Sequence, residues 1–284
     1  MLRVGDMIGI VACSNAQPLT EQDKMARLLW TLRDIGLIPI CSEYMYERED
    51  VFSGTVEQRA KALMDFYRDP DIKAIFDVSG GDIANQILPY LDYNIIQESH
   101  KTFYGYSDVT TIVNAIYTKT QQPCGLYQIR NLDSEEGKAR LEDFVATMLR
   151  KESKLLDITY HYLRGSKMEG TVIGGNIRCF LKLAGTPYFP DVEGKILLLE
   201  SLGGNVAQIT TYFSQLQQMG VLDKVSGVLL GTFTKLDSSK GTEEVEKIAL
   251  SFIAEHIPVA RTHQVGHGMD SKCVMIGAPF PRKM

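Results

Sequence analysis

The sequence lacks several features that would assign it to a specialised class of protein. It has no dense cluster of lysine or arginine and its net charge is −5, which argues against a nucleic-acid surface. No apolar run approaches the ~18 residues of a membrane span, and the N-terminus shows no signal-peptide pattern. Repeats, low-complexity tracts and charged tails are also missing. We therefore expect a cytoplasmic globular protein with a small-molecule partner, and neither a nucleic acid nor a membrane.

Cysteine and cofactor motifs give a second set of exclusions. The five cysteines are odd in number, widely spread and never in C-x-x-C spacing, which argues against a disulfide framework and a zinc site. We expect reduced, mostly buried thiols; Cys13, after the first strand, is also a candidate nucleophile, although a small core residue is the commoner role. No G-x-G-x-x-G follows that strand, which argues against a dinucleotide, and we predict no metal or other cofactor.

The chain has instead the alternating pattern of an α/β protein. Its 284 residues are 44 % hydrophobic, enough to bury a large core. Short apolar runs alternate with amphipathic stretches, which predicts strands and helices in turn. The predicted strands are 7–12, 37–41, 72–78, 101–106, 123–126, 171–176, 195–200 and 225–230, with short strands from 258 onward. Helices are predicted over 55–67, 84–91, 206–218 and 242–255, with others near 25–36, after 109, after 136 and after 176.

A break in this pattern predicts two domains. Strand-like and polar residues over 151–169 interrupt the alternation, as is typical of a domain boundary. We place an N-terminal α/β domain at residues 1–150 and a C-terminal β/α domain at residues 165–284. The residues Asp-Ser-Glu-Glu at 133–136 predict the cap of the last helix in the first domain.

A serine lies at a predicted strand-to-helix corner of the first domain. An aromatic-rich strand ends near 106, and from Val109 the apolar residues recur at helical spacing. A hydroxyl at such a corner stands beside the free N–H groups of the helix, so Ser107 is a candidate nucleophile. Ser107 and Asp108 are equally typical of a helix N-cap, and Val109 departs from the G-x-S-x-G elbow. The local pattern leaves both interpretations open.

A pair of glycines follows the third predicted strand. Gly80 and Gly81 allow the backbone to approach a ligand and to point its N–H groups outward. A tight loop without a ligand would have the same sequence. Because the strand before Ser107 comes next in the alternation, we expect the two loops to be neighbours at one edge of the sheet.

A nucleophilic serine needs a base, and the base needs an acid that fixes its tautomer. Of the five histidines, His267 lies between two glycines, which leave the imidazole accessible. His263 is the competing candidate. Glu200 ends an otherwise apolar strand, where a carboxylate is costly unless it has a partner. A surface residue just past the strand end would give the same pattern.

Short motifs that carry a family resemblance occur in order along nearly the whole chain. They are residues 5–12, 79–81, 88–93, 105–108, 174–176, 185–188, 196–200, 220–224, 228–231 and 266–268. Each motif is weak alone, but the conjunction resembles the serine LD-carboxypeptidase family. That family includes the muramoyltetrapeptide carboxypeptidases and the microcin C immunity peptidases.

The resemblance implies a catalytic triad with Ser107 as nucleophile, His267 as general base and Glu200 as the residue that orients the base. It implies an oxyanion hole formed by the backbone N–H groups of Gly81 and Asp108. It also implies a flavodoxin-like N-terminal domain with a parallel sheet, a smaller β/α C-terminal domain, a site between the two, and a homodimer.

The sequence departs from the family at positions that bear on the substrate. Many members carry Arg-Gly-Gly-Tyr-Gly where this chain has Ser-Gly-Gly-Asp-Ile at 79–83, and with Asn85 following, the segment is closer to the microcin-immunity branch. Gly80 and Asn85 are therefore predicted to contact the substrate. Arg130, in a loop after a strand, is a candidate for binding the substrate's terminal carboxylate, and an exposed surface arginine is the alternative.

Three functions follow as hypotheses. The first is an LD-carboxypeptidase that cleaves an amide bond between an L-centre and a D-amino acid in murein peptides. The second is a peptidase of the microcin C immunity type, which acts on peptidyl or aminoacyl nucleotide conjugates. The third is a non-catalytic binder of a small ligand, since fold alone does not fix function.

Overall fold

Strands and helices alternate along the chain as the apolar pattern predicts. The computed structural model describes residues 2–133 and 137–281. The strands are β1 (Met7–Val11), β2 (Ile38–Cys41), β3 (Ile72–Asp77), β4 (Thr102–Gly105), β5 (Cys124–Leu126), β6 (His161–Arg164), β7 (Gly170–Asn176), β8 (Ile196–Ser201), β9 (Gly227–Phe233), β10 (Val259–Arg261), β11 (Val274–Ile276) and β12 (Pro279–Phe280). The α-helices are α1 (Gln22–Asp34), α2 (Val56–Arg68), α3 (Tyr93–Ser99), α4 (Thr110–Thr120), α5 (Gly137–Arg150), α6 (Ile177–Leu181), α7 (Val206–Gln218), α8 (Thr234–Lys240) and α9 (Thr242–Phe252).

The first sheet has the strand order β2-β1-β3-β4-β5-β11. Strands β1 to β5 are mutually parallel, and β11 pairs antiparallel with β5 at the edge. The parallel part has the 2-1-3-4-5 order of flavodoxin-like sheets, in which the direction of winding reverses between β1 and β3. Ligands of such sheets bind at that reversal, outside the carboxyl ends of the strands. The predicted α/β fold with a flavodoxin-like first sheet is confirmed.

The second sheet has the order β12-β7-β8-β9-β10-β6. Strands β7 to β10 are parallel, and the two edge strands β12 and β6 are antiparallel to their neighbours. Two strands do not follow the predicted domain limits. Strand β6 belongs to the second sheet but lies before residue 165, and β11 lies late in the chain but belongs to the first sheet. The domain limits given above, 1–150 and 165–284, stay a prediction.

Helix α4 joins the two sheets through a buried amide. The Asn114 Nδ2 donates to the Gly174 carbonyl at 2.8 Å, and the Asn114 Oδ1 accepts from the Gly174 N–H at 3.0 Å. One turn earlier, the Thr110 Oγ1 accepts from the Asn176 N–H at 3.0 Å. Fully satisfied polar contacts in a buried interface fix one arrangement of the packed parts. These contacts hold α4, the helix that follows Ser107, against β7. Strand β7 pairs with β8, which carries Glu200.

Local differences from the predicted elements have identifiable causes. The capping box at the start of α2 is present as predicted, with Thr55 and Gln58 exchanging hydrogen bonds. The helix predicted over 84–91 is a 3₁₀ helix, Ala84–Tyr90, that contains Pro89; a proline lacks the N–H that an α-helix needs there. Helix α8 was not predicted because only Leu236 of its residues is buried, which leaves no apolar stripe to detect.

The predicted helix ends can be compared with the structure at α5 and α7. Residues 134–136 of the predicted cap lie outside the described residues, and α5 begins at Gly137. Helix α7 has the predicted bounds and begins with a capping box formed by Asn205 and Gln208. Across the described parts of the chain, every helix is too short or too polar to cross a bilayer.

Candidate active site

Ser107 occupies a strained turn between β4 and α4. Its φ is +55°, in the left-handed region that non-glycine residues rarely adopt and that is frequent at functional turns. The residue opens a 3₁₀ turn, Ser107–Val109, that runs directly into α4. Neither that turn nor α4 has a side-chain cap hydrogen bond. The interpretation of Ser107 and Asp108 as an N-cap is therefore wrong, and both side chains bind other parts of the protein.

A continuous line of hydrogen-bond distances joins Ser107, His267 and Glu200. The His267 Nε2 lies 3.1 Å from the Ser107 Oγ, and the His267 Nδ1 lies 2.8 Å from the Glu200 Oε2. A proton on Nδ1, donated to the carboxylate, leaves Nε2 as the acceptor that faces the hydroxyl. An imidazole so placed can remove the hydroxyl proton, and the carboxylate can stabilise the imidazolium that results. His263 lies elsewhere, with its ring stacked on that of His161.

Glu200 is fully buried at the carboxyl end of β8. The surface alternative for this residue is therefore wrong. Besides the contact with His267, its Oε1 has no hydrogen-bond partner among the residues that the structure describes. The buried Tyr106 hydroxyl lies near Glu200, but the two groups do not have standard hydrogen-bond geometry. Burial, together with the nearby negative charge of Glu200, raises the pKa of the Tyr106 phenol well above its ordinary value, so the phenol stays neutral.

The loop that carries His267 is held on both sides. The Tyr106 ring packs edge-on against the imidazole, with 4.9 Å between ring centroids. Gly266 has a φ of +157°, and a Cβ there would lie 1.6 Å from the Thr232 Oγ1. Only glycine fits such a position. The Asn131 Nδ2 donates to the Gly268 carbonyl at 3.2 Å. The glycines beside His267 thus serve close packing of the loop as well as access to the imidazole.

The Gly80-Gly81 loop lies against Ser107, as the order of the strands predicts. A Cβ on Gly80 would lie 3.7 Å from the Ser107 Oγ. Gly81 has a φ of +127°, and a Cβ on it would lie 2.1 Å from the Asn15 side chain. Within the described ranges the Gly81 N–H donates no hydrogen bond. The Asp108 N–H belongs to the first turn of a 3₁₀ helix, where N–H groups lack partners within the helix.

The Asp108 carboxylate organises the loops around Ser107. It is fully buried, and its Oδ2 accepts from the Ser14 Oγ at 2.6 Å and from the Ala84 N–H at 2.8 Å. Its Oδ1 accepts from the Lys182 Nζ at 2.5 Å. A buried carboxylate that is both ion-paired and hydrogen-bonded is stable in one arrangement. This side chain therefore fixes the loops after β1 and β3 relative to Ser107.

Two cations at α6, which the sequence did not reveal, bind the Gly80-Gly81 loop from the second sheet. Arg178 forms an ion pair with Asp82, and its Nη2 donates to the Gly81 carbonyl at 3.0 Å. The Lys182 Nζ also donates to the Asp82 carbonyl at 2.9 Å. The Arg178 guanidinium lowers the pKa of the Asp82 carboxyl. The i, i+4 spacing of the two cations was the available signal, but it is also common on solvated helices.

Other candidates from the sequence are not joined to this cluster. Asn85 is exposed on the 3₁₀ helix, and no hydrogen bond is present between it and Ser107, His267 or Glu200. Cys13 is buried, and burial raises the pKa of its thiol well above the ordinary value; a thiol in that state is a poor nucleophile. In the ranges 2–133 and 137–281, histidine, cysteine and carboxylate side chains form no group of three suited to a metal ion.

The site lies where two mainly parallel sheets meet, and it brings a serine, a histidine and a carboxylate together. This arrangement of side chains is found in serine peptidases. The chain matches the LD-carboxypeptidase N-terminal domain over residues 8–128 and the LD-carboxypeptidase C-terminal domain over residues 169–280. It therefore belongs to the LD-carboxypeptidase family, and the predicted resemblance is confirmed.

Relatives in this family carry two kinds of name. The microcin C7 self-immunity protein MccF of Escherichia coli is 27 % identical over 94 % of this chain and 87 % of its own. The probable murein peptide carboxypeptidase of Bacillus subtilis is 26 % identical over 98 % of this chain and 88 % of its own. A solved structure of MccF in complex with aspartyl sulfamoyl adenosine is 25 % identical, with a TM-score of 0.85 over 98 % of this chain and 93 % of that chain.

Proposed function

We propose that the protein is a serine carboxypeptidase that hydrolyses the amide bond between an L-centre and a D-amino acid in murein peptides. The observation that carries the proposal is the hydrogen-bonded line from the Ser107 Oγ through His267 to Glu200, with distances of 3.1 and 2.8 Å. Membership of a carboxypeptidase family supports a peptide substrate. The name of the Bacillus subtilis relative supports a murein peptide.

In the first half of the proposed reaction, the Ser107 Oγ attacks the scissile carbonyl carbon while the His267 Nε2 takes the hydroxyl proton. The carbonyl oxygen becomes an oxyanion, which accepts hydrogen bonds from the backbone N–H groups of Gly81 and Asp108. One such donor stabilises the transition state by about 3 kcal/mol. The C–N bond then breaks, and His267 gives its proton to the leaving amine. Glu200 stabilises the imidazolium between the two transfers.

In the second half, water replaces the departed amino acid. His267 removes a proton from the water as its oxygen attacks the acyl-serine carbonyl, and the same two N–H groups hold the second oxyanion. The ester C–O bond breaks, and the proton returns from His267 to the Ser107 Oγ. The products are the shortened peptide and the free D-amino acid, and the enzyme regains its starting state.

The second candidate function is cleavage of peptidyl or aminoacyl nucleotide conjugates. The similarity to MccF, solved with aspartyl sulfamoyl adenosine, favours it, as does the Gly-Gly-Asp-Ile-Ala-Asn sequence of 80–85. The same nucleophile, base and oxyanion hole serve either substrate, because both reactions are acyl transfers to water. The two functions differ in what lies on each side of the scissile bond.

Product release from two substrates tests the proposal. D-alanine release from a muramoyl tetrapeptide is measured with the wild-type protein and with Ser107→Ala, and the same pair is assayed on an aminoacyl sulfamoyl adenylate. We expect the wild type to release D-alanine and Ser107→Ala to be slower by at least about 10³-fold. Cleavage of the adenylate alone would favour the second function. Inactivity of the wild type on both would favour a non-catalytic binder.

The cellular context stays a proposal drawn from the sequence. We propose a cytoplasmic homodimer whose partners are small peptide or peptide-nucleotide substrates. Light scattering in solution tests the dimer, since a single protomer has a mass of 31.8 kDa and a dimer twice that. A monomer at micromolar concentration would contradict it.

A further inference from the structure

A cavity of about 380 Å³ lies beside the loops that surround Ser107. Its volume falls within the range of small-ligand sites, about 300–1,000 Å³. One wall is α1, and another is formed by Arg130 and Asn131 of the 3₁₀ helix Ile129–Asp133. Met269, two residues after His267, also lines it. The cavity therefore adjoins the loop that carries the proposed base.

Hydrogen bonds connect Arg130 to the loop on the other side of Ser107. The Arg130 Nη1 donates to the Gln17 Oε1 at 3.1 Å, and the Gln17 Nε2 donates to the Val78 carbonyl at 3.1 Å. Val78 is two residues before Gly80, whose backbone lies against Ser107. The guanidinium is thus linked through Gln17 to the strand end before the Gly80-Gly81 loop, and it shares a cavity with Met269 of the loop that carries the proposed base.

Arg130 differs from the other cations of the cavity in its partners. Lys24 is ion-paired with Glu21, and Arg27 makes two hydrogen bonds to Asp133. Arg130 forms no ion pair within the ranges 2–133 and 137–281. Its Nε is buried and lacks a hydrogen-bond partner there as well. It is half-buried, so the alternative of an exposed surface arginine is wrong.

Asp77 and Glu21 attract the Arg130 guanidinium only from beyond ion-pair distance, so neither of these carboxylates contacts its donors directly. Arginine stays charged under all ordinary conditions and presents five N–H donors in a planar fork. Transfer of such a charge out of water costs free energy that a bound anion would offset. The fork matches the two oxygens of a carboxylate. A carboxylate in this cavity would therefore satisfy donors that the protein leaves unused.

We propose that Arg130 binds the C-terminal carboxylate of the substrate and thereby restricts cleavage to the last residue of a peptide. This inference rests on the proposed carboxypeptidase function and deepens it. In a carboxypeptidase substrate, only one residue separates the scissile carbonyl from the terminal carboxylate. The group that recognises the carboxylate must therefore lie next to the loops that hold the scissile carbonyl, as Arg130 does.

The test compares two tetrapeptides that end in D-alanine or in D-alaninamide. We expect the wild type to prefer the free acid by about 100-fold in kcat/KM, because the amide leaves the guanidinium unpaired. In Arg130→Gln, kcat/KM for the acid falls by about 100-fold, mainly through KM, while the value for the amide stays within about threefold. Arg130→Lys, which keeps a point charge, retains part of the preference.

A matched control and a binding assay separate the outcomes. Arg68→Gln changes an exposed arginine on α2 that is ion-paired with Asp65 and does not line the cavity, so the acid preference should persist. Equal loss on acid and amide in Arg130→Gln would assign Arg130 a purely structural role, and an unchanged preference would overturn the proposal directly.

Calorimetric titration of both peptides into Ser107→Ala measures recognition without cleavage. We expect Ser107→Ala to bind the acid more tightly than the amide, and the double variant Ser107→Ala/Arg130→Gln to bind both equally. This result supports the Arg130 assignment even if the wild type cleaves neither peptide and the proposed function fails. Equal binding of acid and amide, or binding of neither, overturns the assignment even if hydrolysis is observed.

Discussion

The two sheets support the candidate site in different ways. The first sheet supplies Ser107 and Gly81 from short turns at strand ends, and both residues have positive φ values, +55° and +127°. The second sheet supplies Glu200 near the end of a buried strand, and His267 lies on the loop that runs from β10 of this sheet to β11 of the first sheet. In the first sheet, backbone conformation therefore places the Ser107 hydroxyl and the Gly81 N–H. In the second sheet, the buried charge of Glu200 orients the imidazole that faces the hydroxyl.

This difference predicts how substitutions in each sheet impair the candidate site. A turn with positive φ depends on a few adjacent residues, so a change there displaces N–H groups or the hydroxyl without altering charge. A buried carboxylate–imidazole pair depends on packing between residues 67 positions apart, and a change there removes the proton acceptor.

Replacement of the buried acid tests the side of the second sheet. Glu200→Gln removes the negative charge and offers an amide that can donate to His267, which favours the wrong tautomer. We expect kcat to fall by about 10³-fold or more with little change in KM. Glu169→Gln, at an exposed carboxylate, is the control and should leave kcat unchanged. A fall of less than about tenfold in Glu200→Gln would contradict its orienting role.

Replacement of a loop glycine tests the side of the first sheet. In Gly81→Ala the new Cβ meets the Asn15 side chain, which displaces the proposed oxyanion donor. We expect a fall of about 10²-fold in kcat. The double variant Gly81→Ala/Asn15→Gly removes the clash but not the positive φ, so it should recover part of the rate. Wild-type activity in Gly81→Ala would contradict the role of this loop.

The cations of α6 test the contact between the two sides. Arg178→Gln breaks the ion pair with Asp82 and weakens the hold on the Gly81 carbonyl. We expect a fall of about tenfold in kcat, smaller than for Gly81→Ala, because Lys182 still binds the same loop. Lys61→Gln, which breaks an exposed ion pair on α2, is the control. Equal kcat in Arg178→Gln and the control would show that the loop does not need this clamp.

The same ion pair predicts a dependence of stability on pH. Arg178 lowers the pKa of Asp82 in the folded protein, so the pair stabilises the fold above the ordinary aspartate pKa, about 3.9. That contribution is lost as the pH falls through the lowered value. The difference in Tm between wild type and Arg178→Gln should be constant above about pH 5 and shrink below about pH 4. A difference that grows in acid would contradict this assignment.

The smallest effect is expected at the hydroxyl beside Glu200. Tyr106→Phe removes an OH that lies near Glu200 without standard hydrogen-bond geometry and keeps the ring that packs on His267. We expect kcat within about threefold of wild type. Tyr106→Leu, which also removes the ring contact, should be slower. A loss above about tenfold in Tyr106→Phe would mean that the hydroxyl orients Glu200.

Short-range patterns in the sequence predict part of the fold and part of the candidate site. The order of strands and helices, the capping box of α2 and the neighbourhood of the Ser107 and Gly80-Gly81 loops follow from periodicity and from the rules of parallel sheets. The cap alternative for Ser107 and Asp108 could not be decided locally. It fell only because Asp108 binds Ser14, Ala84 and Lys182, contacts between distant segments.

Long-range contacts account for what the sequence did not reveal. Arg178, Lys182 and Asn114 look like ordinary helix residues, and the partners that join them to other parts of the fold lie 60 to 100 positions away. The half-buried state of Arg130 likewise depends on Gln17, 113 positions earlier. Family resemblance supplied the proposed roles of His267 and Glu200, and the hydrogen bond that joins the two side chains depends on contacts between distant segments.

Covalent labelling tests directly whether Ser107 is the nucleophile. The wild-type protein is treated with a fluorophosphonate, and the modified peptide is located by mass spectrometry. Ser107→Ala and His267→Ala are treated in the same way, with Ser238→Ala as the control at an exposed serine of α8. We predict a single label on Ser107 of the wild type and of Ser238→Ala, none on Ser107→Ala, and slow labelling of His267→Ala. No label on the wild type, or a label on another residue that persists in Ser107→Ala, would contradict it.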